Sequence, residues 1–104
     1  MARRRTGELR RPFVAAIVIT DVVSERQISA QTSSLSVRSC FVLTTAPLNL
    51  GAKVQITIVY ASSKMRATGR VVSVGEDGMG IALMRIEEDD QTVLDGWLNE
   101  LRTA

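Results

Sequence analysis

Apolar and polar positions alternate along most of this chain, and the alternation has a period of two. Residues 53–60 carry the cleanest example: Val54, Ile56, Ile58 and Tyr60 share one face, while Lys53, Gln55 and Thr57 share the other. Residues 26–34 repeat the scheme, with Ile28, Ala30 and Thr32 opposite Gln27, Ser29, Gln31 and Ser33. Residues 64–74 continue it with Arg66, Thr68 and Arg70 on a common face, and residues 80–86 read as the return strand. Two further segments, 13–20 and 40–44, are continuously apolar and rich in branched side chains. That suits strands better than short helices, the first of them covered on both faces.

The connections carry turn chemistry. Residues 21–25 form a polar turn, residues 34–39 a polar break, and APLNLG a turn bracketed by Pro47 and Gly51. Gly75-Glu-Asp-Gly78 reads as a hairpin turn, because glycine adopts positive φ at little cost. The period then changes. Val93, Leu94, Trp97, Leu98 and Leu101 recur at helical spacing, predicting a helix over about residues 90–102 with Asp89 or Asp90 as its cap. Gly96 within it suggests close approach to another element, and Trp97 a packing anchor. Six or seven short strands followed by one amphipathic helix imply an all-β fold: a small antiparallel barrel whose closure removes exposed edges, with a C-terminal α-helix over one end or side.

Length and composition narrow the function. At 104 residues and 45% hydrophobic the chain supports one core, and two domains would not fit. Histidine is absent, which excludes His-based triads and zinc sites, and a single cysteine excludes an internal disulfide. Cys40 sits inside an apolar run and reads as packing. Met65, Met79 and Met84 read as strand core, and the acidic residues near the helix start as solvated charge. No enzyme chemistry and no cofactor are expected. The longest apolar stretch has seven residues, far below the ~20 of a spanning helix. The arginines ahead of it resemble a leader only superficially, so a cytoplasmic protein is expected.

Charge is distributed unevenly. Residues 1–70 hold 11 basic and 3 acidic side chains, a net of +8, whereas residues 71–104 hold 2 and 8, a net of −6. Five arginines fall in the first 11 residues. This basic arm, 1–11, precedes a single domain over 12–104. It could be a solubilising tail or an anion clamp, since arginine forks grip phosphate and stack on purines. Arg5, Arg10 and Arg11 are the candidates. Ser34, Ser36 and Ser39 are the second cluster, able to meet a ligand edge or to satisfy their own turn.

Taken in order, TSSLSVRSCFVLTTAPLNLG, KVQITIVY, GRVVSV, GMGIALMRI and DDQTVLDGWLNEL resemble the PilZ domain family over roughly residues 10–101. The resemblance implies a six-stranded antiparallel PilZ-like β-barrel with a C-terminal helix, and cyclic di-GMP (cyclic diguanylate) as ligand in bacterial signalling. It further implies two binding motifs, RxxxR before the first strand and (D/N)xSxxG after it. Ser36 matches the second motif, but Ser34 stands in place of Asp or Asn and Ser39 in place of glycine. The first motif has no arginine pair at the required spacing: Gly7 precedes Arg11 by four, Thr6 precedes Arg10, and Arg5 lies five and six residues away. Two functions follow. One is a signalling module that binds the nucleotide and acts on a protein partner; the other is a PilZ-fold interaction module without the ligand. Nucleic acid is a weaker third partner, because only Phe13, Phe41, Tyr60 and Trp97 could stack on bases, and their pattern is core-like.

Overall fold

The computed structural model describes residues 10–103. Seven strands precede one helix: β1 (Arg11–Pro12), β2 (Ala16–Asp21), β3 (Gln27–Leu35), β4 (Ser39–Leu43), β5 (Lys53–Tyr60), β6 (Ser63–Val74), β7 (Gly78–Arg85) and α1 (Glu88–Thr103). Hydrogen bonding links them in the order β1-β3-β2-β5-β6-β7-β4, and a further pairing of β4 with β3 joins the ends. Every pairing is antiparallel. The closed barrel therefore has six strands, and β1 extends the line of β2 along the far part of β3.

Alternation decides which side chains fill it. Ile17 and Ile19 of β2, Val54, Ile56 and Ile58 of β5, and Met65 and Val71 of β6 all point inward and are buried. Residues 13–20 obey the same parity, so the expectation of a strand covered on both faces does not hold. Phe13 and Ala15 are inside, while Val14 and Val18 lie outside at 63% and 36% exposure. The methionines split for the same reason. Met79 shares the inward face of β7 with Ile81, but Met84 falls on the opposite parity and is 63% exposed.

The link between β1 and β2 is a bulge. Arg11 faces Leu35 and Pro12 faces Ser34, but Ala16 faces Gln31, so the first strand carries one extra residue. Thr32 seals the gap from β3. Its hydroxyl donates to the Phe13 carbonyl at 2.6 Å and accepts from the Ala15 N–H at 3.0 Å, at zero exposure. Against β4, the register of β3 also slips between Thr32 and Ser34.

The turns expected from Asp21 and from Gly51 follow their chemistry, and the one expected from Gly75 and Gly78 does not. Asp21 accepts from the N–H groups of Val23 and Ser24, and Gly51, at φ 88°, closes the connection after Leu48 enters the core. Gly75 and Gly78 close the β6–β7 hairpin, but neither has positive φ. Glycine is required at 78 for space, since a Cβ there would collide with the Val42 carbonyl oxygen.

Helix α1 begins earlier than its apolar spacing suggests, and its expected cap does other work. Gln91 N–H bonds the Glu87 carbonyl, whereas the Asp90 carboxylate accepts from the Arg66 N–H at 2.9 Å, tying the helix start to β6. Leu94 and Trp97 are buried. Trp97 meets Phe13 at 5.4 Å and Tyr60 at 5.7 Å between ring centroids, and Phe13 meets Tyr60 at 4.6 Å. The helix thus covers the rim where β2 starts and β5 ends. Gly96 is exposed with nothing near its missing Cβ, so no close approach explains it.

Candidate functional site

Antiparallel pairing brings the start of β1, the end of β3 and the start of β4 to this same rim. There the chain reverses tightly over residues 36–38. Ser36 N–H donates to the Ser39 carbonyl at 2.8 Å, and the Ser36 hydroxyl accepts from the N–H groups of Arg38 and Ser39. The two hydroxyls, Ser36 Oγ and Ser39 Oγ, lie 3.0 Å apart. Both serines are buried. Of the two roles open to Ser36, its hydroxyl performs the local one, stabilising the turn.

The basic arm meets this turn. Arg10 Nη2 donates to Ser39 Oγ at 3.0 Å, across 29 residues of sequence. Arg11 stands in β1, half-buried and opposite Leu35, and Ser34 is half-buried between Pro12 and Phe41. The structure thus gathers Arg10, Arg11, Ser34, Ser36 and Ser39 at one end of the barrel. Arg5 and the rest of residues 1–9 lie outside the described residues. Ser39 does not occupy a positive-φ conformation, so its replacement of glycine costs no backbone strain here. What it adds is a hydroxyl that engages Arg10.

Two neighbours complete the surroundings of the turn: Arg38, which the sequence did not single out, and Phe41, whose expected core-like placement does not hold because it is half-buried. Arg38 is exposed at the tip of the turn, and its carbonyl accepts from Leu83 N–H at 2.7 Å. Phe41 lies on the outer face of β4, against Gly78 and Gly80. Its outward direction was available from parity, since Cys40 and Val42 point in. Cys40 is fully buried, and loss of hydration pushes its thiol up to about 12, against a smaller opposing effect of Arg10. A thiol so held is packing, as its apolar surroundings suggested.

Among the described residues, no three His, Cys, Asp or Glu side chains gather to hold a metal, and no helix is long and apolar enough to cross a membrane.

Comparison with known proteins fits this geometry. The PilZ domain family model matches residues 3–100, and the chain belongs to that family. A search of curated proteins finds no match. Three solved structures share the fold. The Bacillus subtilis inhibitor of motility, MotI/DgrA, superposes with a TM-score of 0.78 at 17% identity, over 98% of this chain and 52% of its own. This chain therefore spans about half the length of that protein. The PilZ domain of CeSA from a cellulose-synthesizing bacterium gives 0.74 at 14% identity, over 90% and 98%. The PilZ domain of YcgR from Escherichia coli, solved with c-di-GMP, gives 0.76 at 13% identity, over 97% and 93%.

Proposed function

We propose that this chain is a cytoplasmic bacterial signalling module that takes cyclic diguanylate at the rim formed by the basic arm and the serine turn, and passes the signal to a protein partner. The observation that carries this reading is the Arg10–Ser39 hydrogen bond, which joins the two degenerate motifs. Arg10 and Arg11 supply phosphate contacts, Arg5 adds a third from the arm, and Ser34, Ser36 and Ser39 frame the guanine edge. The c-di-GMP held by the YcgR domain supports the choice of ligand.

Affinity is reduced relative to an intact pair of motifs. Each missing charge-assisted hydrogen bond costs about 1.5–3 kcal/mol, and about 1.4 kcal/mol is one decade of affinity. Calorimetric titration of cyclic diguanylate into the intact chain and into an Arg5→Ala/Arg10→Ala/Arg11→Ala variant tests the reading. Saturable binding that disappears in the variant supports it; no heat at high micromolar ligand defeats it.

One observation favours the ligand-free alternative. Ser36 and Ser39 already bond each other, and Arg10 already has a partner, so the rim is internally satisfied. An interaction module of this kind would capture its partner without nucleotide, and capture would survive substitution of Arg10 and Arg11.

A further inference from the structure

Strands β5, β6 and β7 are adjacent in the barrel, and together they hold Lys53, Lys64, Arg66, Arg70 and Arg85 without a single Asp or Glu. All five cations are exposed. Lys53 and Arg70 face each other directly across the β5–β6 ladder. Like charges so placed weaken a sheet, and no carboxylate on these strands offsets them. Arg70 is steadied instead by donating to the Gly51 carbonyl at 3.0 Å. A barrel under selection for stability alone gains nothing from this arrangement.

The same face is concave. A cleft of about 320 Å³ opens between the strands and the start of α1, with Arg66, Arg85, Thr57 and Thr68 in its lining and Glu87 and Asp90 on the helix side. The Arg66 guanidinium has no partner among the described residues. Among the described residues Arg85 reaches only Glu87, at 3.9 Å with both side chains about 80% exposed, a contact of little worth in water. Thr57 and Thr68, both half-buried, add hydroxyl donors to the floor.

We infer that this face docks an acidic polypeptide segment of a partner protein, with a carboxylate seated in the cleft between Arg66 and Arg85. Cations repeat here at the spacing of a sheet, about 4.8 Å between strands and about 6.8 Å between alternate residues. A chain bearing carboxylates at discrete positions matches that grid. Nucleic acid matches it less well. No aromatic side chain lines the cleft for base stacking. The proposal extends beyond the nucleotide rim and does not require it.

A labelled deca-glutamate peptide is the probe, followed by fluorescence anisotropy with the full chain at low salt. Arg66→Ala/Arg85→Ala should weaken binding at least tenfold, and Arg66→Lys/Arg85→Lys should restore most of it. Arg26→Ala/Arg102→Ala removes the same charge from exposed positions elsewhere and should change affinity less than threefold. Equal losses in the two alanine pairs would show diffuse charge attraction and overturn the proposal. Tighter binding of a single-stranded thymidine decamer through Arg66 and Arg85 would overturn it in favour of nucleic acid.

Discussion

Arg10 and Ser39 are 29 residues apart in sequence and 3.0 Å apart in space, the guanidinium donating to the hydroxyl. Two features produce this contact. The β1 extension lays the arm's end along β3, and the tight reversal after Leu35 returns β4 beside it. For the proposed ligand the contact matters because it takes one of the five N–H donors of Arg10 and fixes the direction in which the others point.

Restoring the second motif should therefore help twice. Ser34→Asp supplies a carboxylate for a guanine edge, and Ser39→Gly both clears space and frees Arg10. The double variant should bind cyclic diguanylate at least tenfold more tightly than the parent chain by calorimetry. An unchanged affinity in a folded variant would place the limit in the arm.

Thr32 should prove the most sensitive polar position in the barrel. Thr32→Val keeps the shape but leaves the Phe13 carbonyl and the Ala15 N–H of the bulge without their partner. Stranding a buried polar group costs about 1–3 kcal/mol, so chemical denaturation should show a loss of at least about 2 kcal/mol. A neutral result would mean the bulge re-pairs or admits water.

Two glycines should respond in opposite directions. Gly96→Ala lies in a helix with open space around it, and should gain up to about 1 kcal/mol. Gly78→Ala drives a Cβ into the Val42 carbonyl, and overpacking of this kind costs about 1–3 kcal/mol or more. Thermal denaturation of both variants separates a glycine kept for space from one that is not.

The β5–β6 hairpin turns on Ala61 and Ser62 at φ 50° and 73°, the left-handed region where a Cβ is penalised. Ser62→Gly should raise stability by about 1 kcal/mol, read from the denaturant midpoint. No gain would show that the serine side chain compensates locally.

Cys40 links burial to pH. Its thiol is raised from 9.0 to about 12 in the folded chain, so below pH 9 the folded and unfolded states both hold the proton. Above pH 9 the unfolded thiol ionises first, and stability should fall as pH rises towards 12. Cys40→Ala should lose that part of the slope, and in the parent chain a thiol reagent should react only after unfolding.

These residues also show what sequence could and could not reveal. Val54, Ile56 and Ile58 declared their strand and face, because strict alternation has one structural meaning. Trp97 declared itself as an anchor through helical spacing. Ala61-Ser62 carried no turn signal, since neither residue favours positive φ and only the ladder imposes it. Asp90 looked like a cap because sequence cannot show that β6 presents the Arg66 N–H beside it. At the rim, Ser36 and Ser39 were legible as a cluster. Their mutual bonds depend on the turn's geometry, and the Arg10 contact depends on a bulge that no local pattern encodes. The cationic face of β5–β7 was written in the sequence as separate charges, and only the strand order makes it a surface.

The functional reading depends on nucleotide entering at the rim shared by the arm and the serine turn. Chemical-shift mapping of the isotopically labelled chain during titration with cyclic diguanylate tests it most directly. Saturable shifts should centre on the amides of Arg10, Ser36, Arg38 and Ser39, with β5–β7 unmoved. Unshifted amides at the turn, or shifts confined to the β5–β7 face, would contradict it.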